Sequence, residues 1–294
     1  MIAPWIAVTL IAALAQTFRF LLQRHLKRTR LSTAGATFSR FLFSAPLVAL
    51  LLLAGAAFTG TALPEPSPAF WRFVLSGGVA QILATACVIA LFGLRNFAVG
   101  ITFKKSETIL TAIFGFALLG EVVSAGAAGA IALGVLAVIV YSGEAGRWNP
   151  RAVALGLGSG ALFAVSAVCF RGAALSLGDA PVLIRSGSTL AVATLWQTLI
   201  LGAWLIWREP GQLAAVARAW RIAGLAGLFS MVGSMGWFTA FALQNAAYVK
   251  ALGQVEVVFS ILATTLFLGE TISRREVLGI GLLTLSIVAL ILAV

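Results

Sequence analysis

The chain has 294 residues, 61% of them hydrophobic and 10% charged, with a mean hydropathy of +1.06. A soluble domain of this length has to turn a polar surface to water, so the composition excludes one and requires a polytopic, all-α membrane protein. The net charge of +11 does not point to nucleic acid, because no basic run is interleaved with aromatics on a polar scaffold, and membrane proteins collect Lys and Arg in cytoplasmic loops.

Apolar runs of roughly 20 residues give about ten candidate spans. The first, 4–23, runs into the basic cluster Arg24, His25, Lys27, Arg28 and Arg30. Ala13, Leu14 and Ala15 loosely resemble a signal cleavage site, but no Lys or Arg precedes the run, so it reads as a retained helix. The second, 33–56, closes in a proline-rich loop with Pro64, Glu65, Pro66 and Pro68. The third to fifth cover 70–94, 98–119 and 122–142. A hydrophilic break at 144–151 follows, and then 152–174, 181–207, 219–243, 247–268 and 277–293 repeat the count. The polar linker 208–218 precedes the eighth span. The chain thus divides into a first repeat at 1–143, a connecting loop at 144–151 and a second repeat at 152–294. An odd number of spans per repeat makes the second copy enter the membrane from the opposite side, giving two inverted five-helix repeats.

The repeat is visible in the residues. The stretches 96–121 and 245–270 align without a gap, matching Asn96 with Asn245, Glu107 with Glu256, and Leu119, Gly120, Glu121 with Leu268, Gly269, Glu270. Each stretch carries a carboxylate inside an apolar segment, where an ionisable group costs about 3 kcal/mol or more and marks function. Loops after odd-numbered spans carry Arg24, Lys27, Arg28, Arg30, Arg95, Arg147, Arg151, Arg208, Arg218, Arg221, Arg274 and Arg275, whereas loops after even spans carry little beyond Arg72. The positive-inside rule then places the odd loops in the cytoplasm and both termini outside it.

These features resemble the drug/metabolite transporter superfamily, in its ten-helix EamA-like branch. The resemblance rests on the paired Leu-Gly-Glu ends, on the Gly-rich helices that follow from Gly126 and from Leu278, and on Arg40 in the second span. It implies two EamA-like units over nearly the whole chain, an inner-membrane location, and transport of small metabolites, amino acids or drugs. The family's usual orientation has cytoplasmic termini, opposite to the charge bias here.

The candidate site follows from the buried polar groups. Glu107 and Glu256 are the expected proton- or substrate-coupling residues, because a carboxylate in a partly hydrated cavity can hold and release a proton. Lys104 shares a helical face with Glu107, so the alternative is a permanently paired structural charge. For Glu256 the nearest candidates are Lys250 and Gln254. Lys105 is expected to snorkel toward an interface. Lys104, Arg40 and Arg19 give the first repeat more buried positive than negative charge, which favours an anionic or zwitterionic ligand. Trp196 and Trp237, with the repeat-equivalent Phe92 and Phe241, are candidates to line a cavity; Gln16, Gln81 and Gln254 are further mid-span polar groups. Asn96 and Asn245 read as caps, and Glu121 and Glu270 as turn residues at the water interface. Trp5, Trp71, Trp148, Trp207 and Trp220 read as interfacial belts.

The expected function is a secondary carrier of small amino-acid-like or other anionic or zwitterionic organic compounds, working by alternating access, with a proton as one candidate coupling ion. A lipid or lysolipid flippase, or a non-transport scaffold, is the alternative. The only histidine, His25, and the two cysteines, Cys87 and Cys169, make no catalytic triad, metal set or disulfide framework, and no phosphate-binding G-x-x-x-x-G-K-[ST] motif occurs. No enzyme activity and no cofactor are expected. The expected partners are a small-molecule substrate and the lipid bilayer, with the chain as a monomer or homodimer.

Overall fold

The computed structural model describes residues 3–29, 31–94, 103–142, 149–259, 262 and 274–294, and all regular structure among them is helical. In chain order the helices are α1 (Pro4–Thr29), α2 (Thr33–Thr59), α3 (Pro68–Leu91), α4 (Glu107–Leu119), α5 (Ala125–Ser142) and α6 (Pro150–Leu175). They continue with α7 (Val182–Arg208), α8 (Gln212–Arg218), α9 (Trp220–Leu243), α10 (Ala246–Leu252) and α11 (Arg274–Ala293).

Local chemistry sets several of the starts. Ser32 and Ser67 accept from Gly35 N and Phe70 N to cap α2 and α3, and Asn149 caps α6 ahead of Pro150. Proline is tolerated there because a first-turn N–H has no helical partner to lose.

Six helices, α1, α2, α3, α6, α7 and α9, are long and apolar enough to cross a membrane; α4, α5 and α11 are shorter and also apolar. Leu50, Leu53, Phe58, Ile206, Trp207 and Leu292 are exposed large apolar side chains on this bundle. A surface of that kind faces lipid. The molecule is a multi-pass membrane protein.

The two halves match in parts and in partners. α1 and α6 each have 26 residues, α2 and α7 each have 27, and α3 and α9 each have 24. α1 lies along α9, α3 along α6, α2 along α7 and α5 along α11. The first helix of each half therefore packs on the third helix of the other.

Three expectations need correction. The fourth and ninth spans are not continuous helices: Lys105 and Ser106 form a turn ahead of α4, and the 3-10 turn Gly253–Val255 follows α10. The linker at 208–218 folds its second part as α8, because Gln212 is anchored by Ser32 N donating to its Oε1 at 3.0 Å. Finally, α1 continues past the apolar run to Thr29, since Gln, Leu, Lys and Arg sustain a helix in water as well as in lipid.

Candidate functional site

The two interruptions build the site. At the first, Ser106 N donates to Phe103 O at 3.1 Å and Thr108 N to Lys105 O at 3.4 Å, bonds that close over three residues instead of four. Glu107 is the first residue of the helix that follows. At the second, helical backbone resumes at 256–259 after the 3-10 turn, and Glu256 is again the first residue past the break. Irregular backbone at membrane depth persists only where protein buries it or where it lines a cavity. Both conditions hold here. A Cβ on Gly160 of α6 would lie 2.7 Å from Ser106 Oγ and 2.9 Å from Lys104 O, so only glycine lets α6 close over the first break. A Cβ on Gly253 would overlap the Trp237 ring, so the second break is sealed by an aromatic face instead.

Between them lies a narrow cavity lined by α1, α2, α3, α6, α9 and α10 together with the first break. Its polar lining is Gln16, Arg40, Gln81, Lys104, Glu107, Ser166, Ser234 and Lys250, and its aromatic lining is Phe163, Phe170, Trp237, Phe238 and Phe241. An adjoining narrow cavity shares Lys104, Glu107, Trp237 and Lys250 and adds Lys105, Thr108, Gln254 and Glu256. Lys105 thus faces this cavity, although it was expected at an interface.

Glu107, 6% exposed, is ion-paired on both oxygens: Lys104 Nζ lies 3.0 Å from Oε2 and Lys250 Nζ 2.6 Å from Oε1. Lys250 therefore serves the other half's carboxylate and not Glu256, because α10 ends one turn before Glu256 and carries the lysine across to α4. Glu256 accepts from Gln16 Nε2 and has no ion-pair partner among the described residues. Gln16 Oε1 in turn accepts from Arg19 Nη2 and Trp237 Nε1, both at 3.2 Å. An amide stands between the guanidinium and the carboxylate. Arg19 also donates to Gln23 Oε1 at 2.8 Å and lies behind the cavity wall.

Arg40, 3% exposed, donates to Ser230 Oγ at 3.1 Å, Thr85 Oγ1 at 3.2 Å and Ser234 Oγ at 3.3 Å. All three partners are neutral. Trp237 and Phe241 stack with centroids 6.0 Å apart, and Lys250 Nζ sits 4.6 Å and 5.4 Å from their respective centres. Gln81 accepts from Gln197 Nε2 at 2.8 Å. Gln254 donates to Thr108 Oγ1 at 3.2 Å, while its buried Oε1 has no hydrogen-bond partner among the described residues.

The structure thus brings Glu107, Lys104, Arg40, Gln81, Trp237 and Phe241 onto one cavity and Glu256 and Gln254 onto its neighbour. Three candidates lie elsewhere. Arg19 is held behind the cavity wall by Gln16 and Gln23. Phe92 packs edge-on to Phe20 in a separate apolar cluster, and Trp196 donates to Leu75 O at 3.3 Å between α7 and α3. Asn245 caps α10 by accepting from Ala247 N at 2.9 Å. Asn96, Trp148 and Glu270 lie outside the described residues.

Sequence reasoning missed Arg171. Its Nε pairs with Glu121, and its Nη1 donates to Phe241 O at 2.5 Å and Gln244 O at 2.6 Å, where α9 leaves its last carbonyls unbonded. Glu121 is accordingly a mostly buried ion-pair partner and not a water-exposed turn residue. A lone Arg inside the apolar sixth span was the available signal, of the same kind as Arg40 in the second.

Comparison with known proteins agrees with this architecture. Residues 150–292, the second half, match the EamA-like transporter family. One solved crystal structure is similar over 96% of this chain and 96% of that one, with a TM-score of 0.71 at 15% sequence identity, a likeness of fold alone. A search of curated proteins finds no match.

Proposed function

We propose that the chain is a secondary carrier of small anionic or zwitterionic organic compounds, built from ten membrane-crossing segments as two inverted repeats, 1–143 and 152–294. It works by alternating access in the cell inner membrane, with both termini outside the cytoplasm. The reciprocal placing of α1 on α9 and α3 on α6, the equal helix lengths, and the paired breaks before Glu107 and Glu256 support the repeat. The EamA-like match over 150–292 supports small-molecule transport.

The observation that carries the reading is the charged cavity between the halves. Burying Arg40, Lys104, Lys250 and Glu107 around one cavity costs stability that a scaffold has no reason to spend. A flippase or scaffold also leaves unexplained why the ion pairs joining the halves, Glu107 with Lys250 and Glu121 with Arg171, span the repeats. In a carrier such ties are what must break and re-form as one half rocks against the other.

The test is uptake into proteoliposomes, using radiolabelled amino acids and small organic acids with and without an imposed pH gradient. Gradient-stimulated uptake that is lost in Glu107→Gln and Glu256→Gln, with both variants folded, is the expected result. Wild-type rates in both variants would remove the coupling role, and gradient-independent uptake would leave a carrier that works by exchange.

A further inference from the structure

The cavity and its neighbour are lined by four cationic side chains, Arg40, Lys104, Lys105 and Lys250, against two carboxylates, Glu107 and Glu256. The distribution matters more than the total. Glu107 alone occupies two of the lysines, and no described carboxylate lies within ion-pair distance of Arg40. The hydroxyls around its guanidinium sit at 3.1 to 3.3 Å, the longer range of neutral acceptors, where a carboxylate would close to about 2.8 Å. A guanidinium has five N–H donors, and these contacts use three. Ser166, 2% exposed, lines the same cavity and makes no hydrogen bond to a described residue. A metal cation beside Glu256 and the unpartnered Gln254 Oε1 is disfavoured, because three lysines line that space. The unmet demand is for an anion.

Lys250 connects that demand to the fold. Its ammonium lies over Trp237 and Phe241, 5.8 Å from the centre of Phe163, and is held there by Glu107 across the boundary between the halves. An anion entering the cavity meets the same lysine that Glu107 already holds.

We propose that the cavity takes a compact organic monocarboxylate on Arg40 and Lys250, with Glu107 acting as an internal carboxylate that holds Lys250 when the cavity is empty. The ligand's apolar part lies on the Trp237–Phe241 pair. Binding transfers Lys250 from Glu107 to the ligand, and so releases an ionic tie between the first half and the second. The inference rests on the carrier reading and names the substrate class and the linkage within that site. It predicts that the ligand and Glu107 compete.

The test is isothermal titration of the purified full chain in detergent with benzoate, and with benzylamine as the cationic counterpart. Neutralising the competitor in Glu107→Gln tightens benzoate binding about tenfold or more and does not tighten benzylamine. Arg40→Gln loses at least about tenfold in benzoate affinity in either background. Benzoate binding that is unchanged or weaker in Glu107→Gln, insensitive to Arg40→Gln, or absent from Glu107→Gln up to the solubility limit overturns the proposal. If Glu107→Gln fails to fold, Lys250→Met decides, with lost benzoate affinity expected and retained affinity overturning it. Titration needs no gradient or vesicle, so its failure leaves the uptake assay, and the carrier reading, standing.

Discussion

Glu107 and Glu256 occupy the same place in the repeat and the same place relative to a helix break, yet their surroundings differ. Glu107 is gripped by two ammonium groups, one local and one from the opposite half. Glu256 is held by the Gln16 amide, with the nearest guanidinium one residue further away through that amide. The first break is closed by a glycine on α6, the second by an indole. The comparison teaches that matched sequence positions fix where a carboxylate sits while non-equivalent neighbours fix how it is held. Both carboxylates are tied to the opposite half, Glu107 by an ion pair with Lys250 and Glu256 by a neutral amide donor, Gln16.

The sharpest way to break this comparison is to remove each carboxylate in turn. Glu107→Ala strands two buried lysines and is expected to cost about 3–5 kcal/mol. Glu256→Ala removes one charge-assisted hydrogen bond and is expected to cost about 2 kcal/mol. Denaturant unfolding in detergent measures both, and equal losses would show that the two environments are energetically alike.

Next in size is the backbone at the breaks. Gly160→Ala pushes a methyl against Ser106 Oγ and Lys104 O and is expected to cost about 2 kcal/mol, whereas Gly158→Ala, with nothing within 4 Å, is expected to be within about 0.5 kcal/mol of wild type. Gly253→Ala tests the second break in the same way, since its methyl meets the Trp237 ring. A neutral Gly160→Ala would mean that α6 does not clamp the first break.

Gln16→Leu sharpens the second environment by deleting the amide between Arg19 and Glu256. The expected loss is about 1–2 kcal/mol, with Glu256→Ala adding little on top, because both changes remove the same bond. Full additivity in the double variant would show that the bond contributes nothing. The smallest effect is expected at Arg171→Gln, about 1 kcal/mol, because the glutamine amide can still donate to Glu121 or to one of the two carbonyls. Thermal unfolding in detergent checks it, and a loss as large as that of Glu107→Ala would move the main ionic tie between the halves to Arg171.

Much of the candidate site was legible before the fold. A carboxylate, a lysine or an arginine in an apolar run is costly enough to announce itself, which is why Glu107, Glu256, Lys104 and Arg40 stood out. What sits opposite each one was not legible. Lys250 lies six residues before Glu256, so local spacing assigned it to the wrong carboxylate, while the structure carries it to a partner more than a hundred residues earlier. Arg171 carried the same signal in the sixth span, but its partners, the distant Glu121 and the end of α9, were equally out of reach of local spacing. Phe92 and Phe241 matched in the alignment, but only Phe241 reaches the cavity.

The amino-acid sequence by itself determined that this chain lives in a bilayer, where its helices run, and that two related stretches carry intramembrane charge, because hydropathy and the cost of burying an ion are properties of short segments. The tertiary structure alone decided that the helices break beside each carboxylate, that one carboxylate is doubly paired and the other amide-held, and that Arg40 faces a cavity with no carboxylate of the described residues in ion-pair reach. Those outcomes depend on which side chains distant segments bring within about 3 Å, a distance over which Coulomb energies in a low-dielectric interior change by several kcal/mol.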